Sequence, residues 1–477
     1  MSAALSMPWA PNARCYCAPR RLIYTLALGE DVARIPARSA VRWQREAPAA
    51  STGHGAVDRV LHDFGGNVAL ARLHDPAQVS GSFDLVEHAR GLSRTYVALF
   101  SDIHRLDETV DALRQLAVVT SACVDYVVMP EQAPIAAELA ARADPAWPWQ
   151  VVGADRARQM EAGEAAVTTA VLDTGAATRH AELSGRLSTG FDAVNFSGAD
   201  LAAGLSLIGD FGTRDTDPDE TYNPHGTACL AIIGGQGRRM PAGLSRATTL
   251  MPVRVLASAR GPGRGSAGRV LGLGALSDID YAMKRAVDLG AKVLNCSFGT
   301  SEEALMPGDP MPHAETTSYA LERGAVLVAA SGNSGREERY HPAAAEGVIA
   351  VGSIGPEGRP SRFSTSGAYV ALSAPGEQIL TPGIEGYELS TGTSFAAPFV
   401  AGAAALMVAR ARRAARPLDG AATRALLMAS AAPWQGSAPK GAGAGILDVP
   451  AALAALDRQV ATATSLGFAD AEDRSPS

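Results

Sequence analysis

The chain has 477 residues, a formal net charge of -7, 19% charged and 47% hydrophobic residues. That length predicts roughly two to four structural units rather than one small module, and the apolar content excludes an extended disordered chain. No basic block accompanies the acidic balance, which speaks against a nucleic-acid partner; the Arg-rich run Arg410, Arg412, Arg413 and Arg416 reads as the solvated end of a helix.

Residues 1–30 hold Pro8, Trp9, Pro11, Arg14, Arg20 and Arg21, with no uninterrupted apolar segment ahead of a small-residue cleavage site. Cys15, Cys17, Cys123, Cys229 and Cys296 cannot all pair within the chain, and no metal-ligand spacing is repeated. Both features point to a reducing, cytoplasmic setting, with secretion as the alternative. Apolar stretches fall far short of the roughly 20 residues of a membrane span, so no membrane partner is expected.

After an irregular start, a strand is predicted over residues 22–28, a loop over 48–55, a helix over 57–64 and a strand over 67–73. Residues 1–83 as a region carry no recognisable role. Residues 84–132 form a compact α+β unit of strand 94–100, helix 106–116 and strand 117–128. In that helix Val110, Leu113, Leu116 and Ala117 recur at i, i+3, i+6 and i+7, which gives one apolar face to pack on a small antiparallel sheet. The Ala-rich, Pro-containing stretch 133–146 reads as a linker.

From 147 to 457 the texture changes. Short, wholly apolar runs at 166–172, 249–256, 292–297, 325–330 and 348–351 alternate with helix-length segments at 225–233, 266–289, 311–323 and 394–413. Runs of this kind bounded by Gly or Asp are strands buried on both faces. The rhythm predicts an α/β fold, a doubly wound and mostly parallel sheet. Residues 458–477 read as a disordered tail.

Four segments in this region carry chemistry. An apolar strand ends in Asp173, at the carboxyl end where open α/β sheets collect their active sites; taken alone, such a residue is more often an ordinary turn or N-cap aspartate. His225-Gly226-Thr227 opens an apolar helix, where a lone histidine is commonly structural. Ser394 starts an Ala-rich helix, where unbonded N–H groups and the positive dipole end coincide; it is a cap or a nucleophile with a stabilised oxyanion. Asn333 sits in a Gly-rich turn after a buried strand, as a donor into a cleft or as a left-handed turn residue.

Taken together, Asp173-Thr174-Gly175, His225-Gly226-Thr227 and Gly392-Thr393-Ser394-Phe395-Ala396-Ala397-Pro398, in that order, resemble the subtilisin-like serine proteases (subtilases, peptidase family S8) over residues 147–456. Asn295-Cys296-Ser297-Phe298-Gly299, Pro342-Ala343 and Ala374-Pro375-Gly376 support the register. The resemblance implies a serine endopeptidase acting on protein or peptide substrates, with no cofactor required for the chemistry. Ser394 would be the nucleophile, His225 the general base and acid, Asp173 its orienting carboxylate, and Asn333 with the Ser394 N–H the oxyanion hole. Ser297, Phe298, Gly299, Ala330, Ser331 and Gly332 would line the S1 pocket, which receives the P1 side chain. Residues 84–132 are similar to the family's propeptide, which implies that the chain's own N-terminal region is an intramolecular inhibitor and that 131–146 is a self-cleavage region.

Departures from the pattern bear on function. Ala228 replaces the family's second histidine, Pro224 its preceding glycine, and Cys229 an apolar residue; that thiol, one helical turn from His225, would make the enzyme sensitive to oxidation or heavy metals. Glu182 offers a carboxylate for a structural calcium, but the loop Gln236-Gly237-Arg238-Arg239-Met240 that would complete the site is basic. The run Asp215, Asp217, Asp219, Glu220 is a solvated loop, a cation site or a selector of basic substrate residues. Two other functional readings stay open: a dedicated processing protease or transpeptidase acting on one partner protein, and a catalytically silent scaffold.

Overall fold

The computed structural model describes residues 17–30, 33–77, 81–101, 105–128, 144–196, 205–212, 216–261 and 270–472. The chain begins with β1 (Cys17–Leu26), α1 (Arg38–Trp43), α2 (Gly55–Gly65), β2 (Val68–Arg72), α3 (Leu85–Ala89), β3 (Thr95–Phe100), α4 (Leu106–Arg114) and β4 (Val119–Val128). The strands pair antiparallel in the order β2-β3-β1-β4. Alternation along β1 divides its residues between two layers. Leu22, Tyr24 and Leu26 face α2 and α4, whereas Ile23 and Thr25 face the second unit.

The expected division at 83/84 cuts through this sheet, because β1 and β2 both pair with β3. Strand pairing is non-local, and the apolar run of β1 carries no local mark of the partner it joins. The predicted linker lies mostly outside the described residues.

The second unit continues with α5 (Trp147–Val151), α6 (Ala154–Met160), β5 (Thr168–Asp173), β6 (Phe191–Asp192), β7 (Ser206–Leu207), α7 (His225–Gly234), β8 (Thr249–Arg254), β9 (Ala257–Arg260), β10 (Val270–Ala275), α8 (Leu276–Asp288) and β11 (Val293–Cys296). It closes with β12 (Thr300–Ser301), α9 (Ala314–Glu322), β13 (Val326–Ala330), β14 (Tyr340–His341), β15 (Ile349–Ile354), β16 (Val370–Pro375), β17 (Ile379–Pro382), β18 (Tyr387–Ser390), α10 (Thr393–Arg413), α11 (Gly420–Ser430) and α12 (Val449–Glu472). Its central sheet runs β16-β15-β13-β11-β5-β8-β6 with every neighbouring pair parallel. The parallel α/β architecture read from the apolar runs is therefore the one observed. From β5 the chain builds β6 and β8 on one side, then crosses to build β11, β13, β15 and β16 on the other. The reversal lies between β5 and β11, whose carboxyl ends border the crevice where such sheets bind ligands.

Three sequence expectations are corrected. The helix foreseen over 266–289 begins only at Leu276, because Val270-Leu271-Gly272-Leu273-Gly274 alternates with period two and pairs with β9. This hairpin also receives β4, with Val128 opposite Gly274 and Val127 opposite Ala275, so the two units share one sheet. The tail is helical through Glu472, as a continuation of the Ala- and Leu-rich start of α12 at Ala451-Ala452-Leu453-Ala454-Ala455-Leu456. Finally, α10 is long and apolar enough to cross a membrane by length and composition, yet 94% of that window is buried within the fold.

The contact between the units is strongly charged. Arg38 pairs with Asp278, Arg323 with Asp84, Arg90 with Glu322 and Arg114 with Asp309. Buried Lys284 of α8 reaches Glu87 of α3 at 2.6 Å.

Candidate active site

Asp173 is the last residue of β5 and is fully buried. Its Oδ1 accepts from Thr174 N at 2.7 Å, and its two oxygens lie 2.7 and 2.9 Å from His225 Nδ1. An Nδ1–H donated to this carboxylate leaves Nε2 as the basic nitrogen. The approach of α7 to the end of β5 needs Gly226: a Cβ there would stand 2.2 Å from Gly175 O and 3.1 Å from Asp173 Cβ. Thr174 Oγ1 locks the junction, accepting from Gly226 N at 3.0 Å and donating to Asn223 O at 3.1 Å. Asn223 Oδ1 accepts from His225 N at 3.2 Å, and the Phe395 ring packs 5.1 Å from the imidazole.

Ser394 is the second residue of α10, so its N–H is one of the helix-start donors without an intrahelical acceptor. Pro398, four residues on, has no N–H to give to the Ser394 carbonyl. Ser297 Oγ fills that role at 2.7 Å and itself accepts from Asn295 Nδ2 at 2.9 Å. Ser394 Oγ donates to Ser297 O at 3.1 Å, while His225 Nε2 is buried without a hydrogen-bond partner among the described residues. The Ser–His hydrogen bond is thus not made in this state; such bonds often tighten only when substrate binds. Asn333 Oδ1 accepts from both Thr393 N and Thr393 Oγ1 at 2.8 Å, which fixes the plane of its amide beside Ser394.

The residues expected to line S1 divide into two groups. Phe298, Gly299, Ala330 and Gly332 line a small pocket together with Asn333, Tyr340, Thr393 and Ser394. Ser297 and Ser331 are fully buried behind it, Ser331 Oγ donating to Thr365 O at 2.9 Å. Tyr340 was not foreseen, and nothing local in Arg339-Tyr340-His341 marks it.

Cys229 lies beneath the site, with Sγ 3.5 Å from Ser394 O and 3.6 Å from Ser297 Oγ. Burial, reinforced by the Asp173 charge, pushes its pKa well up. Asp173, His225 and Cys229 form a cluster whose ligand atoms lie within 4.8 Å of one another. The carboxylate and Nδ1 already satisfy each other and the thiol is held protonated, so the set does not fit a resident metal.

The Glu182 carboxylate is likewise taken. It accepts from Gly237 N at 2.7 Å, from Arg238 N and Arg239 N at 2.9 Å, and from Tyr387 Oη at 2.8 Å. These donors turn their positive ends toward the place where a cation would stand, so this position does not fit calcium. In the acidic run, Asp215 lies outside the described residues. Asp219 accepts from Thr178 N at 3.0 Å, and buried Glu220 pairs with Arg254 at 3.2 Å. The solvated-loop reading therefore fails for Glu220, whose carboxylate is part of the buried support of β8.

The sequence model of the Subtilase family matches residues 164–460, more than half of the chain. The chain is 33% identical over 268 residues to the thermophilic serine proteinase of Bacillus sp. (strain AK1), covering 54% of this chain and 56% of that protein. It is 30% identical over 250 residues to thermitase of Thermoactinomyces vulgaris, covering 51% of this chain and 76% of thermitase. The chain thus spans little more than half the length of the first of these relatives. Among solved structures, fervidolysin from Fervidobacterium pennivorans aligns with a TM-score of 0.62 over 92% of this chain and 61% of that one, at 17% identity, a likeness of fold alone. The matched family region begins just before the strand that ends in Asp173 and runs past the helix whose second residue is Ser394, and on that evidence the chain belongs to the Subtilase family of serine proteases.

Proposed function

We propose that the chain is a serine endopeptidase that hydrolyses peptide bonds through an acyl-enzyme on Ser394. The observation that carries this reading is the buried Asp173–His225 pair at 2.7 Å, set at the carboxyl end of β5. Ser394 Oγ attacks the scissile carbonyl and its proton passes to His225 Nε2. The tetrahedral oxyanion is held by the Ser394 N–H and the Asn333 amide. The C–N bond then breaks as His225 returns the proton to the leaving amine, and water hydrolyses the ester by the reverse relay. Asp173 holds the imidazole in the required tautomer and balances its transient charge. Intact mass after fluorophosphonate treatment tests the reading: one adduct on the wild type and none on Ser394→Ala supports it, whereas an unlabelled, folded wild type is either blocked by its N-terminal region or a silent scaffold, and labelling after proteolytic removal of that region separates the two. A dedicated processing protease or transpeptidase would use the same residues, and a peptide-library cleavage profile separates it from a broad endopeptidase.

The N-terminal unit is proposed to act as an intramolecular inhibitor. In support, β4 adds itself to the edge strand β10, and charged pairs seat the unit on α8 and α9. Appearance of activity in step with loss of about 130–145 N-terminal residues, the span up to the predicted linker, checks this.

A further inference from the structure

The pocket beside Ser394 is nearly filled by a side chain of the protein itself. Gly299 and Gly332 form two facing walls, and the Tyr340 ring lies between them. A Cβ added at Gly299 would stand 3.1 Å from Tyr340 Cδ1; one added at Gly332 would stand 2.9 Å from Cδ2 and 3.1 Å from Cε2. Each edge of the ring therefore meets one glycine, and neither wall could carry a side chain without displacing it. The remaining space is about 10 Å³. That is roughly the room for one water molecule, whereas a cavity of about 150 Å³ is what accepts a benzene ring.

The ring is not placed to swing away cheaply. Tyr340 is 7% exposed. Its backbone is pinned opposite Ser301 in the β12–β14 pair, its carbonyl accepts from Ala344 N at 2.6 Å, and the preceding Arg339 carbonyl accepts from Glu302 N at 2.9 Å. A large P1 side chain would have to expel a buried ring held from both sides, and overpacking of this kind is costly.

We propose that Tyr340 fills the S1 pocket and restricts the P1 residue to glycine, alanine or serine. The inference rests on Ser394 being the nucleophile, since S1 is defined from that atom. It names the substrate class that the family fold leaves open: chains cut after a small residue.

The test uses the full-length protein and two peptide boronates that differ only in P1, alanine or phenylalanine, read by their protection of Ser394 from a fluorophosphonate. In the wild type the alanine boronate should protect at a concentration roughly 100-fold lower than the phenylalanine one, the scale set by strong steric selection in a specificity pocket. Tyr340→Gly should improve protection by the phenylalanine boronate relative to the alanine one at least about 10-fold, and Tyr340→Phe should keep the wild-type preference. Equal or better protection of the wild type by the phenylalanine boronate overturns the proposal whether or not the variants fold. An unchanged ratio in a folded Tyr340→Gly protein overturns it as well. A protein that takes no label even after proteolytic release of its N-terminal unit removes the nucleophile assignment and this inference with it, a result distinct from labelling with the opposite preference.

Discussion

Asp125, in the last strand of the N-terminal unit, caps the first turn of α8 by accepting from Ser277 N at 2.9 Å and from Ser277 Oγ at 2.7 Å. Both residues are fully buried, and Arg21 lies 3.6 Å from the same carboxylate. One side chain thus joins the N-terminal sheet to the helix that follows β10.

Asp125→Ala would strand the Ser277 donors and remove the carboxylate beside Arg21 in a buried contact. A loss of about 1–3 kcal/mol is expected for such an unsatisfied group. Denaturant unfolding in a Ser394→Ala background, where self-cleavage cannot intervene, should show the lower midpoint.

Asn333→Ala should lower kcat about 10²–10³-fold with little change in KM, the loss known for removal of the corresponding donor in subtilisin itself. Equal losses in binding and turnover would mean that the amide acts on the ground state through Thr393 instead.

Around Glu182, burial pushes the carboxyl pKa up, but the N–H groups of Arg239 and Arg238, the Tyr387 hydroxyl and the Gly237 N–H outweigh it and hold it below the usual value. A lowered carboxyl contributes stability that is present above the ordinary glutamate range, about 4.3, and is lost as pH falls through the folded value. Glu182→Gln should flatten that acid limb of a Tm–pH profile. A calcium chelator at neutral pH should leave the Tm difference between wild type and Glu182→Gln unchanged, because N–H groups already occupy the carboxylate.

His74 lines a cavity between the N-terminal sheet and the helices α8 and α9, together with Cys123, Asp280, His313 and Glu315. Burial lowers its pKa well below the usual value, and the charges of Lys284 and Arg38 add to the effect. A histidine lowered in the folded state contributes stability that is present above about 6.5 and is lost as pH falls through the folded value. Acidification should therefore loosen the N-terminal unit, and His74→Gln should reduce the slope. Hydrogen exchange of β4 amides across pH reads this directly.

Cys229 should resist iodoacetamide in the native protein and react only after unfolding, because its thiol is buried and held protonated. Peptide mapping of labelled native and denatured samples decides this, and native labelling with loss of activity would restore the oxidant-sensitive reading.

Much of the parallel α/β unit and the placement of its candidate site were legible in the amino-acid order because their signals are local. An apolar run ending in Asp173, a histidine backed by Gly226 and a serine opening a small-residue helix each declare a strand end or a helix start, and those are the positions that point into the crevice. The strands β11 and β13 were legible because burial on both faces leaves no polar alternation. The order of residues was therefore enough for the parallel sheet and for the candidate groups at its carboxyl edge. That β1 and β2 join β3, that Glu182 meets backbone donors rather than a cation, and that the Tyr340 ring stands between Gly299 and Gly332 became visible only in the folded chain. Each of those outcomes depends on which distant segment arrives at a given place. Hydrophobic period and turn chemistry report a residue's own backbone state, whereas partner choice across the chain is settled by packing the whole core at once.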